Sequence, residues 1–91
     1  KTDNQRRRLL TITVANQEKI QDAIQSALDQ FCSEIDMITI NSTNAGDNLS
    51  IVYEVELKTE ADDFQVTSYL TQNIDQYDVA LTKKAKKRKN L

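Results

Sequence analysis

IVYEVELKTEADDF, residues 51–64, changes period in the middle. In its first half Ile51, Tyr53, Val55 and Leu57 alternate with Val52, Glu54, Glu56 and Lys58. That period of two belongs to a strand with one apolar and one polar face. The alternation stops at Thr59, and Asp62 three residues later completes the spacing of a helix N-terminal capping pair. A polar-backed strand running straight into a helix must have its apolar side covered by the rest of the chain.

Working backwards, Asn41 to Asn48 is a polar turn that contains the only glycine, Gly46, the natural place for a positive φ. A strand over about 35–42 precedes it, with Ile38 and Ile40 expected inward and Met37 and Thr39 outward. Together with the return strand over 49–58 it makes a hairpin. Earlier still, Leu10, Ile12 and Val14 alternate with threonines, which predicts a first strand over about 9–14. Ile20, Ile24, Leu28 and Phe31 then recur at helical spacing, with Ala23 and Ala27 widening the stripe. This predicts a helix of about fourteen residues over 18–31, capped by Asn16. Working forwards, Phe64, Thr67, Leu70, Thr71 and Ile74 mark the inward side of a second helix over 61–73. Tyr77, Val79 and Leu81 alternate in a last short strand.

The order strand, helix, strand, strand, helix, strand is that of an α+β, ferredoxin-like βαββαβ sandwich. It predicts a four-stranded antiparallel sheet of order 4-1-3-2 with two helices on one face. The other face, carrying Glu54 and Glu56, meets water or a partner.

Ninety-one residues suffice for one domain, with roughly 60% of the extended surface buried. No proline and one glycine leave few tight corners. The single cysteine, Cys32, excludes an internal disulfide and suits a reducing compartment as a small buried hydrophobe. The net charge of −2 conceals a partition. Residues 1–8 form a basic flank with Arg6, Arg7 and Arg8, and 83–91 form a Lys-rich tail. The domain proper, 9–82, sets Lys19 and Lys58 against thirteen acids, a net of −11. Such a body repels a phosphate backbone over any broad face, so no nucleic-acid partner is expected from it.

Catalytic constellations are wanting. Without histidine there is no Ser-His-Asp or Cys-His arrangement, and zinc would find one candidate ligand, Cys32. Asp62 and Asp63 suit a helix start, and Glu54 and Glu56 an exposed strand face. No base-stacking aromatics are expected on the open face, since Tyr53 falls on the other one. The expectation is a domain that is not an enzyme, with no cofactor and no metal.

RRLLTITV, residues 7–14, and IVYEVELK, residues 51–58, carry a resemblance that extends over 6–81. They look like the C-terminal cytoplasmic domain, ferredoxin-like or ACT-like, of a family of uncharacterised bacterial membrane proteins. A Mg²⁺-transport-associated family with an ACT-like tail is a second resemblance. The first implies a non-catalytic regulatory or assembly domain on the cytoplasmic face of the bacterial inner membrane, below transmembrane helices of the same protein. Arg6, Arg7 and Arg8 would then contact an anionic lipid surface. The chain opens without methionine in a polar stretch and reads as an excised domain. Weak homodimerisation is expected through the edge strand at Ile35, Met37 and Thr39, which carries no lysine. Two alternatives stay open: an ACT-like sensor of a small ligand or ion, and a small nucleic-acid-binding protein using the tail at 83–89.

Overall fold

Strand β1 (Arg7–Ala15) buries every second residue, Arg8, Leu10, Ile12 and Val14, and leaves those between them half-exposed. β3 (Asn48–Leu57) does the same with Ile51, Tyr53, Val55 and Leu57. The computed structural model describes residues 4–83, so 1–3 and the Lys-rich tail beyond Lys83 lie outside the described residues. The remaining elements are a short 3-10 helix (Asn4–Arg6), α1 (Ile20–Asp29), β2 (Cys32–Thr43), α2 (Asp63–Asn73) and β4 (Asp78–Lys83). All strand pairings are antiparallel and the sheet order is β2-β3-β1-β4, the order read from the sequence.

Both helices cover the same sheet face. Ile24, Ala27 and Leu28 of α1 join Val66 and Leu70 of α2 and the inward strand residues in one core cluster. Phe31, in the turn just after α1, meets Tyr69 of α2 edge to face with ring centres 5.4 Å apart. Gln30 Nε2 donates to the Tyr69 hydroxyl at 2.8 Å. Each large aliphatic buried here contributes about 1.5–3 kcal/mol, which makes this cluster the main source of stability.

Several local expectations need correction. Helix α1 is ten residues long, not fourteen. Its N-cap is Lys19, in the left-handed region at φ 68°, with no side-chain cap. Asn16 is occupied elsewhere: its backbone N–H donates to Asp47 O at 2.8 Å and its Nδ2 to Gly46 O at 3.0 Å. It thereby pins the β2–β3 turn, in which Asn44, Ala45 and Gly46 all have positive φ. At the other end, Gln30 N–H to Ala27 O and Phe31 N–H to Leu28 O close the helix with tightened turns.

The cap of α2 is Asp62, not Thr59. Asp62 accepts from the Gln65 N–H at 2.8 Å while the Gln65 side chain accepts from the Asp62 N–H at 3.1 Å, a reciprocal box. The inward stripe of α2 is Val66 and Leu70, continued by Ile74 just past its end at the same spacing of four. Phe64 lies off that stripe and is 78% exposed, and Thr71 also faces out.

Strand β2 carries two bulges, between Cys32 and Glu34 and between Met37 and Thr39. The second makes Ile38 the extra residue and reverses the alternation on either side of it. Met37 therefore pairs with Tyr53, and Ile40 with Ile51, on the helix-side face, while Thr39 pairs with Val52 on the open one. The expectation of Ile38 inward and Met37 outward is thus overturned. Ile38 and Met37 are both exposed, because the helices do not reach this part of the sheet.

Candidate functional site

Antiparallel pairing of β1 with β4 sets the end of one beside the start of the other. The β1–α1 turn and the α2–β4 connection are therefore neighbours at one end of the sheet. Between them lies a cleft of about 390 Å³ lined by Ala15, Gln17, Asp75, Gln76 and Tyr77. The cleft is half open to solvent, with room for part of a small ligand. Tyr77 is anchored by its N–H, which donates to Thr13 O at 2.8 Å, and the residue is 66% exposed. Gln76 Nε2 donates to Ile74 O at 3.0 Å. On the opposite wall the Ile20 N–H donates to Gln17 O at 3.2 Å, and Lys19 takes its left-handed turn. The walls are thus built by two short connections fixed at their backbones, with polar side chains left to face the cleft.

Of the four polar lining residues only Tyr77 figures in the sequence pattern, and there as part of a strand. Tyr77 was expected as the first core residue of the last strand, but β4 begins at Asp78 and Tyr77 stays outside the core. The signal available was the polar character of Asp75 and Gln76 after the last buried residue of the preceding stretch, Ile74. Those residues begin a connection rather than continue a helix.

The arginines sit at the other end of β1 and are engaged by the domain itself. Arg6 donates to three backbone carbonyls, Leu57 O, Lys58 O and Ala61 O. Arg7 meets Glu34 at 2.8 Å, Glu54 at 3.3 Å and Glu56 at 3.5 Å on the open sheet face. Arg8 is buried and pairs with Asp63 at 2.7 Å, while its Nη1 donates to Gln5 O and Arg7 O. An anionic surface would have to compete with these partners. Glu54 and Glu56 are accordingly held about one cation rather than across a catalytic cleft.

On β2, Ile35 is half-buried against the core, whereas Met37 and Thr39 are exposed. The Cys32 thiol is buried, and desolvation, reinforced by the Asp29 carboxylate, pushes it up to about 11. It is therefore not a nucleophile near neutral pH. Among the described residues no group of three or more Cys, Asp or Glu is placed to hold a metal ion, and no helix is long and apolar enough to cross a membrane.

No protein-family model matches the sequence, and no curated protein matches it. Solved structures do resemble it. A protein of unknown function from Galdieria sulphuraria aligns at TM-score 0.67 and 10% identity, over 91% of this chain and 47% of that one. This chain thus spans about half the length of that protein. The ACT domain of a GTP pyrophosphokinase from Chlorobium tepidum aligns at TM-score 0.58 and 11% identity, over 82% of this chain and 95% of that one. At such identities the likeness is one of fold: this is a small ferredoxin-like, ACT-like domain.

Proposed function

We propose that the domain is a non-catalytic sensor of a small ligand, with the cleft at the β1–α1 and α2–β4 connections as its binding site. The observation that carries this reading is the cleft itself, about 390 Å³ between two backbone-anchored turns of an ACT-like domain. A small molecule seated there touches the end of β1, the turn into α1 and the entry to β4 at once. Ligand binding would therefore be coupled to the relative positions of α1 and the β4 edge. The membrane-anchored assembly domain suggested by the resemblance ranks below it, since its arginines are engaged by the domain's own acceptors.

The test is a thermal-shift screen of amino acids, nucleotides and divalent ions against the 91-residue chain. A ligand of this site raises the midpoint saturably, as expected for binding to the folded state alone. The gain is lost in Gln17→Ala and Tyr77→Ala. A screen without a hit, or a hit indifferent to both substitutions, would overturn the reading.

A further inference from the structure

Building on that reading, we infer that the cleft takes a small organic cation, an ammonium carried on a short apolar body, rather than an anion or a phosphorylated compound. The lining supplies one carboxylate, Asp75, two carboxamides, Gln17 and Gln76, and the ring of the exposed Tyr77, but no lysine or arginine. A carboxylate accepts charge-assisted hydrogen bonds from an ammonium, and carboxamide oxygens complete its shell. An aromatic face attracts the same charge. A phosphate or carboxylate ligand would find no guanidinium or ammonium among the lining residues and would face Asp75 directly.

The surroundings act in the same direction. Glu18, Asp47, Asp75 and Asp78 stand at this end of the sheet with Lys19 as counter-charge. At the far end of β1 the arginines are balanced by carboxylates, Arg7 by Glu34, Glu54 and Glu56 and Arg8 by Asp63. At the cleft end four carboxylates face one ammonium, which leaves a local net negative charge around the cleft. A diffusing cation is drawn to that end and an anion turned away from it.

An isosteric probe series isolates the charge. The ¹⁵N-labelled 91-residue chain is titrated separately with n-butylammonium, n-butanol, butyrate and inorganic phosphate, and backbone amide shifts are followed. Butylammonium is expected to move the amides of Gln17, Asp75, Gln76 and Tyr77 saturably, and more weakly as salt rises. Asp75→Asn should weaken it about two- to fivefold, the worth of an exposed ion pair. Tyr77→Ala should weaken it about two- to fivefold and Tyr77→Phe hardly at all, because the ring and not the hydroxyl provides the attraction. Both positions lie outside the buried core, and the unperturbed amides of core residues in each variant report that the domain is folded. If butanol binds as tightly as butylammonium, or butyrate or phosphate binds in its place, the cationic preference is overturned and the sensor reading survives. If none of these probes binds but a screened ligand does at the same residues, the preference again fails alone. If neither series binds, both fail.

Discussion

Tyr53 lies at 1% exposure in the core, with its hydroxyl buried and without a hydrogen-bond partner among the described residues. Such an orphan costs about 1–3 kcal/mol of desolvation, while the ring packs as well as any phenylalanine. Tyr53→Phe is therefore expected to keep stability or raise it by up to about 1 kcal/mol in urea unfolding, and a loss larger than that would show that the hydroxyl has a partner. The same burial acts on protons. The Cys32 thiol moves from its ordinary 9.0 up to about 11, so between those values the unfolded chain has released a proton that the folded chain retains. Stability then falls as pH rises across this window and is unaffected by the thiol below it. The Tyr53 phenol, also raised by desolvation, adds a decline of the same sign from its ordinary 10.0 upward. In the Tyr53→Phe background, urea midpoints should drop between pH 8.5 and 10.5 more steeply with Cys32 present than in Cys32→Ala. Equal slopes would mean that the thiol is solvated.

At the scale of elements, the decisive interactions are local and short. Asp62 caps α2 through a reciprocal box with Gln65, whereas the Thr59 hydroxyl only reaches Glu60. Asp62→Ala should cost about 1 kcal/mol and Thr59→Ala no more than a few tenths, and the reverse order by chemical denaturation would reassign the cap. The strands and their order were legible because Leu10, Ile12, Val14 and Ile51 to Leu57 keep a strict period of two over a buried face. The stripe of α1 was legible for the same reason at a period near four. What misled was the choice of cap. Thr59 and Asp62 can both accept from a helix start, and tertiary packing decides between them, whereas α1 begins after Lys19 without a side-chain cap because Asn16 is held by the β2–β3 turn. Ile38 misled differently, since a bulge inserts a residue without any glycine or proline to announce it. The cleft was illegible because its residues come from connections 60 positions apart (Gln17 and Tyr77), which only the β1–β4 pairing brings together.

For the whole molecule the open question is what meets the β2 edge. The sheet order leaves β2 and β4 each with one unpaired edge, and β2 is twice as long, twelve residues against six. Helix α1 shields only its start, at Cys32 and Ile35, so Met37, Ile38 and Ile40 are exposed beside a free row of backbone donors and acceptors. A second copy can pair there antiparallel about a two-fold axis, bringing Ile35 and Met37 of each copy together on the helix-side face. The bulges at either side of 34–37 would keep the uninterrupted pairing short, so the dimer we propose is a weak one. The open face sets Glu34 and Asp36 against the same residues of the copy, and like charges directly across strands repel. Arg7 offsets part of this charge through Glu34. Salt should therefore tighten the dimer by screening, the opposite of its effect on a cation in the cleft. Sedimentation velocity from micromolar to millimolar protein should show a concentration-dependent shift toward dimer that grows with added salt. Asp36→Asn should strengthen association, and Met37→Lys should abolish it by charging the free edge. A monomer at every concentration, or association that salt dissolves, would place the contact elsewhere or remove it.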